Sequence, residues 1–352
     1  MKRTKILLSV VLVCFSISLA KAQPTTAIGA VQQQENAQRM TQQEMLSLKA
    51  GTNAPAIYEG EESDVGPQHI LHVASRRTHF QVRADSEYLY TDNAFQAPRI
   101  AAFGNLFKAF PGTIFVNTLS FALAPEPYRL GNGRFAPTVG LQNQWFNYAI
   151  GGPNGGTPID LSVNNFDAET AFIGGRYLLP SDWTLYGRFE YNRFVNQANY
   201  LGREFYYDFV PTVGAQKMVK LRDDMMLTFD IKGDYHDSWT KPSPFIFGTP
   251  PLGEEDRADL TADLTLNYRA TSRLVLQPYG RVQYTYYRYD TTGSLQGRND
   301  QTYSLGAAAI YYFTEGLSLR CFFNQDMRQS SDRFAKYHAY YTGAELNYTL
   351  RF

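Results

Sequence analysis

Hydrophobic and polar residues alternate along most of this chain. The clearest case is the segment 260–269, in which the residues of one parity are Leu260, Ala262, Leu264, Leu266 and Tyr268. The residues between them are Thr261, Asp263, Thr265, Asn267 and Arg269. Strict alternation is typical of a β-strand with one hydrophobic and one polar face.

Twelve segments follow this pattern and predict twelve β-strands. They lie at 78–91, 112–124, 135–148, 165–179, 182–195, 203–218, 222–237, 257–269, 272–289, 301–313, 316–327 and 336–352. Several are longer than the usual strand of about five or six residues. No helical periodicity interrupts them, which excludes a parallel α/β fold.

The connections between these segments alternate in length. Short ones lie near 180–182, 219–221, 270–271 and 314–315. Longer ones, rich in Gly, Pro, Asn and Ser, lie near 92–111, 149–164, 196–202, 238–256, 290–300 and 328–335. Only 125–134 is of middling length where a short turn is expected. Such sorting is typical of a transmembrane barrel, with short periplasmic turns and long extracellular loops.

The last predicted strand has hydrophobic residues on the parity of its final residue, Phe352. At this point the sequence resembles bacterial outer-membrane β-barrel proteins of the porin-like class, over 78–352, without indicating a subfamily. In those proteins the terminal strand is read by the barrel-assembly machinery of Gram-negative bacteria. The resemblance implies that this signal comprises Gly343, Leu346, Tyr348, Leu350 and Phe352. Leu350 stands where many members of the class have an aromatic residue.

Together these patterns predict a closed, antiparallel, up-and-down transmembrane barrel of about twelve strands over 76–352. In a lipid bilayer every backbone polar group must be bonded internally, so a sheet must close on itself. The exterior should be apolar with aromatic girdles at both interfaces. The girdle candidates are Tyr284, Tyr286, Tyr311, Phe313, Tyr340 and Tyr348.

The N-terminus predicts export. Lys2, Arg3 and Lys5 precede an apolar run that ends in small residues at Ala20 and Ala22, the pattern of a cleaved secretory signal peptide over 1–22. Its removal changes the formal charge from zero to −4. The following segment, 23–75, is rich in Gln and then acidic, which predicts a short helix and a linker, either periplasmic or folded into the barrel as a plug.

Composition narrows the functional classes. A precursor with no net charge does not offer the basic surface that nucleic acids need. Beyond the first twenty residues no apolar run approaches the ~18 residues of a membrane-spanning helix. Once the signal peptide is removed, Cys321 is the one remaining cysteine, so an intramolecular disulfide is excluded.

The polar parity predicts which charged residues face the lumen. They are Glu169, Arg188, Glu190, Asp208, Asp230, Lys232, Asp234, Asp263, Arg281, Arg320, Glu345 and Arg351. Both signs are present, so two interpretations stay open. The lumen is a polar passage for passive diffusion of small solutes, or it is a closed interior cross-linked by ion pairs in a structural component of the outer membrane.

Two further alternatives come from other classes. A lipid hydrolase would need a nucleophile and base about 2.6–3.2 Å apart, but Asp234, His236 and Ser238 are two residues apart on one strand, roughly 6–7 Å between neighbours. An adhesin would act through its extracellular loops, above all 238–256. The sequence predicts no enzyme, no cofactor and no metal site, although His69, His72 and His79 lie close together. It leaves the oligomeric state open.

Overall fold

The computed structural model describes residues 78–94, 111–151, 159–160, 162, 165–197, 204–240, 256–288, 297–332 and 335–352. The signal peptide prediction, the segment 23–75 and most of the loop 238–256 lie outside the described residues. Within these ranges no helix is long and apolar enough to cross a membrane.

The described residues form fifteen strands. They are β1 (Thr78–Thr91), β2 (Gly112–Pro125), β3 (Tyr128–Leu130), β4 (Gly133–Tyr148), β5 (Ile150–Gly151), β6 (Ile159–Asp160), β7 (Phe166–Leu178), β8 (Trp183–Asn196), β9 (Glu204–Arg222), β10 (Met225–Thr240), β11 (Arg257–Arg269), β12 (Leu274–Tyr287), β13 (Arg298–Tyr312), β14 (Leu317–Ser330) and β15 (Tyr337–Arg351).

Twelve of these described strands close into one antiparallel barrel, which confirms the predicted fold class. Each long strand pairs with the next long strand along the chain, and β1 pairs with β15 to complete the circle. The short strands stand apart: β3 extends one edge of β4, and β5 pairs with β6. Closure leaves no free sheet edge, as a bilayer requires.

The twelve long strands match the twelve predicted segments, with shifts of a few residues at their ends. The connection 125–134, which was too long for a simple turn, contains β3 paired to the start of β4. Gly131, with φ of 55°, supplies the left-handed residue in the turn between them. The Tyr177 hydroxyl donates a hydrogen bond of 2.8 Å to the Leu130 carbonyl and ties this extension to β7.

The short connections all lie at one end of the barrel, here named the turn end, and the opposite end is named the loop end. Alternation along most of the barrel strands separates an apolar exterior from a polar interior. Leu141, Ile173, Val213, Leu260 and Leu305 are among the large hydrophobic residues exposed on the exterior. The six predicted girdle aromatics are all exposed as well.

Candidate functional site

Ten of the twelve charged residues predicted to face the lumen lie on the inner face of the barrel. Strand register and burial place eight of the predicted residues there, opposite the exposed apolar face: Arg188, Glu190, Asp230, Lys232, Asp263, Arg281, Arg320 and Glu345. Asp208 and Asp234 share that face. The Arg351 side chain lies outside the described residues.

The prediction is wrong for Glu169. This residue lies on the exterior, where its Oε2 accepts a hydrogen bond of 3.1 Å from Arg193. Its neighbour Ala168 is the buried residue and packs within the barrel. The buried parity of β7 contains hydrophobic residues, namely Phe166, Ala168 and Phe172, together with polar ones. Alternation in this segment therefore did not show which face is the inner one.

An ion pair joins neighbouring strands near mid-barrel. Arg281 on β12 lies directly across from Asp263 on β11. Its Nε is 2.6 Å from Oδ1, and its Nη2 is 3.1 Å from Oδ2. Two parallel hydrogen bonds of this kind fix both side chains in a planar arrangement.

Aromatic rings reach across glycines on the inner face. The Tyr186 ring on β8 covers Gly214 on β9, where an added Cβ would lie 2.3 Å from the ring. The Tyr186 hydroxyl therefore reaches β10 and donates a hydrogen bond of 2.8 Å to Asp230 Oδ1. Glycine is needed here because any side chain would displace the ring.

A second group of charges lies toward the turn end. The Glu345 carboxylate sits between two guanidinium groups, with Arg320 Nη1 at 3.5 Å and Arg83 Nη2 at 3.7 Å. Arg83 also contacts Asp85 at 2.8 Å. These contacts link β14, β15 and β1 across the seam between the first and last strands.

A third pair keeps partial access to solvent. Arg188 Nε lies 2.6 Å from Glu190 Oε1, and the two side chains are 20% and 15% exposed. The Arg188 guanidinium also stacks over the Phe172 ring at 3.9 Å from its centre. This part of the inner face is less tightly packed than the Asp263 pair, whose arginine side chain is 4% exposed.

Near the loop end, His236 is surrounded by carboxylates from three strands. Its Nδ1 is 2.8 Å from Asp208 Oδ2 on β9. Its Nε2 is 3.4 Å from Asp234 Oδ1 on β10 and 3.5 Å from Asp259 Oδ2 on β11. The sequence pattern brought His236 together only with Asp234 and Ser238 of its own strand. Asp259 was not among the predicted residues, although its position on the polar parity of β11 was an available signal.

Ser238 does not pair with this histidine. Its hydroxyl donates a hydrogen bond of 3.0 Å to Asp256 Oδ1, and its backbone N–H donates one of 2.9 Å to the same atom. Ser238 is therefore bonded to the residue that directly precedes β11. Within the described residues this geometry supplies no activated nucleophile to His236, and the absence of an enzyme activity stays a prediction.

Part of the inner face is apolar, which differs from the polar lumen predicted from the sequence. A buried hydrophobic cluster lies toward the loop end, mainly on the side of β1, β2, β4 and β7, with members on β13–β15. Phe146 and Phe166 stack in it with ring centres 4.4 Å apart. Around Ile114 both parities are apolar, because Ile114, Phe115 and Val116 follow one another, so alternation fails to mark an interior there. The interior thus has an apolar side and a charged side.

The predicted assembly residues divide between the two faces. Leu346, Tyr348, Leu350 and Phe352 are exposed on the exterior. Gly343 has the opposite parity and lies on the inner face beneath the Phe322 ring. Their role as an assembly signal stays a prediction, because it concerns a partner outside this chain.

A closed twelve-stranded barrel with an apolar exterior and a charged interior defines the class: this architecture is that of transmembrane β-barrels. Solved structures similar to this chain are outer-membrane β-barrel proteins. An outer membrane channel from Pseudomonas putida F1 shares 13% identity with a TM-score of 0.49, covering 82% of this chain and 100% of its own.

Two other solved structures are similar to this chain at a comparably low sequence identity. The β domain of the Bordetella autotransporter BrkA shares 14% identity with a TM-score of 0.43, covering 76% of this chain and 98% of its own. The outer membrane channel DcaP of Acinetobacter baumannii shares 10% identity with a TM-score of 0.38, covering 79% of this chain and 98% of its own. No protein-family model and no curated protein sequence matches the chain.

Proposed function

We propose that this chain is an outer-membrane β-barrel through which small solutes diffuse passively. The observation that carries the proposal is the sorting of residues in a closed sheet: the exterior is apolar, and one side of the interior is polar from the loop end to the turn end. Charges inside a barrel of this kind are stable where they contact water or one another.

The number of strands supports a passage. Eight strands enclose an interior just wide enough to be filled by side chains, and sixteen or more enclose an open aqueous channel. The twelve strands of this barrel fall between these limits. The partial exposure of Arg188 and Glu190 supports water access to the interior on β8.

The charge distribution supports weak selectivity. Basic and acidic side chains alternate along the polar side, as in the Asp263 and Arg281 pair and the Lys232 and Asp234 pair at 3.1 Å. Strong ion selectivity in channels depends on rings of one sign. The proposed passage is therefore narrow and discriminates only weakly among small ions and polar solutes.

Conductance in planar bilayers tests the proposal. The full chain, refolded in detergent and inserted, should give discrete single-channel steps. Glu190→Lys should shift the ratio of cation to anion permeability toward anions, because this residue is on the accessible part of the interior. Asp223→Lys, a fully exposed residue in the turn between β9 and β10, is the matched control and should leave the ratio much closer to that of the unmodified protein.

A second candidate is a structural barrel with a closed interior. It is favoured by the burial of the charged pairs, since Asp263, Arg281, Arg320 and Glu345 are all at most 9% exposed. A correctly inserted barrel that never raises conductance above baseline would contradict the channel and support this candidate. The adhesin alternative depends on the loop 238–256, most of which lies outside the described residues, and loss of surface binding after its deletion would support it.

A further inference from the structure

Three side chains near the loop end bring one nitrogen and two carboxylates together. The ligand atoms of Asp234, His236 and Asp259 all lie within 4.8 Å of one another. His236 Nε2 is 3.4 Å from Asp234 Oδ1 and 3.5 Å from Asp259 Oδ2. Donor atoms of a tetrahedral zinc site lie roughly 3.4 Å apart, given bonds of about 2.1 Å. We propose that these residues form a binding site for a divalent transition-metal ion.

One donor atom of this group has no hydrogen bond. Asp234 Oδ1 is buried and accepts none, and the side chain that carries it is 2% exposed. Its other oxygen, Oδ2, contacts the Lys232 ammonium at 3.1 Å. A buried carboxylate oxygen without a donor is costly. Because Oδ1 points toward His236, a cation bound there would satisfy it.

Asp208 prepares the histidine to act as a ligand. Its Oδ2 is 2.8 Å from His236 Nδ1, which assigns the proton to that nitrogen and directs the Nε2 lone pair toward Asp234 and Asp259. Asp208 is held in turn by Asn192 Nδ2 at 2.9 Å and by the Tyr206 hydroxyl at 2.9 Å. Metal-ligating histidines are usually oriented by a carboxylate in this way.

The local charge also favours a cation. Four buried carboxylates share this end of β9–β11 with three basic side chains; the carboxylates are Asp208, Asp234, Asp256 and Asp259, and the basic residues are Lys232, Arg257 and the exposed Arg288, which lies 3.6 Å from Asp256. The negative charge exceeds the positive charge by one, and a bound cation would offset that excess. One imidazole with two carboxylates suits zinc and its first-row neighbours better than Ca²⁺, which takes oxygen ligands alone.

Arg257 competes for the same position. Its Nη2 is 3.2 Å from His236 Nε2, while its Nε is 3.0 Å from Asp259 Oδ2. Metal binding therefore requires the end of the guanidinium to turn away from the imidazole. The three protein ligands leave a fourth position for water or for a solute inside the barrel. This site does not depend on whether solutes pass through the barrel.

Calorimetric titration of Zn²⁺ into the full chain tests the proposal, with the protein refolded in detergent and freed of metal by a chelator. The unmodified protein should bind one Zn²⁺ that His236→Gln and Asp234→Asn each weaken at least tenfold. Asp326→Asn is the matched control, because Asp326 is also buried on the inner face but accepts a hydrogen bond from Asn324 on β14, four strands away from β10 around the barrel. It should bind like the unmodified protein.

Two further variants separate a metal site from a histidine held by ion pairs alone. Asp208→Asn should weaken Zn²⁺ binding about 10–100-fold, the usual effect of removing the carboxylate behind a ligating histidine. Arg257→Gln should tighten it, because the competing cation is gone. Equal Zn²⁺ affinity in the unmodified protein and His236→Gln, or no binding in either, would overturn the proposal.

The spectrum of bound Co²⁺ decides the matter if His236→Gln fails to give a folded barrel. A visible absorption band of tetrahedral Co²⁺ in the unmodified protein, absent from Asp234→Asn, supports the site. A Co²⁺ spectrum without that band, or one unchanged in Asp234→Asn, contradicts it.

Discussion

Phe80 and Phe352 exchange two backbone hydrogen bonds, from Phe352 N–H to Phe80 O at 2.9 Å and from Phe80 N–H to Phe352 O at 3.2 Å. This pair closes the ladder between β1 and β15 at the turn end of the barrel. The two rings also pack on the exterior, with centres 6.2 Å apart. Phe352 thus contributes both to closure of the barrel and to its apolar exterior.

Deletion of Phe352 should reduce assembly of the barrel in cells. It removes both hydrogen bonds to Phe80 and the aromatic residue that the proposed assembly signal requires. The yield of heat-modifiable barrel in outer-membrane fractions is the measurement. Phe352→Tyr keeps the backbone and the ring and is the control. Equal yields from the deletion and the unmodified chain would contradict the proposed signal.

Removal of Arg281 should destabilise the barrel by about 3–5 kcal/mol, because it leaves the buried Asp263 carboxylate without its partner. Arg281→Met is the suitable change, followed by urea unfolding in lipid vesicles. The double variant Asp263→Leu with Arg281→Met should recover most of the loss, since no unpaired charge remains. If the double variant were as unstable as the single one, the loss would come from packing and not from the charge.

Gly343→Val should prevent normal closure. A Cβ at this position would lie 2.4 Å from the Tyr88 carbonyl oxygen and 2.8 Å from the Phe322 ring, so backbone as well as side chain would have to move. We expect a loss of more than 2 kcal/mol by the same unfolding measurement, at the upper part of the range for overpacking.

Gly233→Val is the matched control for this change. The nearest atom to its added Cβ is the Asp259 carbonyl oxygen at 3.9 Å, which is ordinary contact, and the residue lies on the exterior of β10. Gly233→Val should lower the free energy of unfolding by far less than Gly343→Val does. Similar losses from the two variants would show that glycine flexibility, and not the space under Phe322, decides the outcome.

Leu264→Arg should lower the free energy of unfolding if the exterior of the barrel contacts lipid. Leu264 is exposed on that face near the middle of β11. An arginine at the bilayer midplane costs about 2–4 kcal/mol, and one near the interface about 0–1 kcal/mol. Tyr286→Arg, near the loop end of β12, is therefore the control. Urea unfolding in vesicles should show the difference, and equal costs would argue against this membrane position.

The fold was predictable from the sequence because the signal for it is local. A strand shows its two faces within ten residues, as Leu264 and Asp263 do on neighbouring parities of β11. The alternating lengths of the connections then indicated which end of each strand lies at which end of the barrel. The apolar side of the interior was not predictable, because residues near Ile114 on β2 are hydrophobic on both parities and the pattern there does not distinguish inside from outside.

The sequence by itself therefore determined the number of strands, the closure and the inner position of residues such as Arg281. Only the tertiary structure decided which side chains meet. His236 contacts Asp208 and Asp259, which are 28 and 23 positions away in the sequence and lie on two other strands. Their meeting depends on the register between strands, which is set by pairing around the closed barrel, and no pattern within a single strand contains that information.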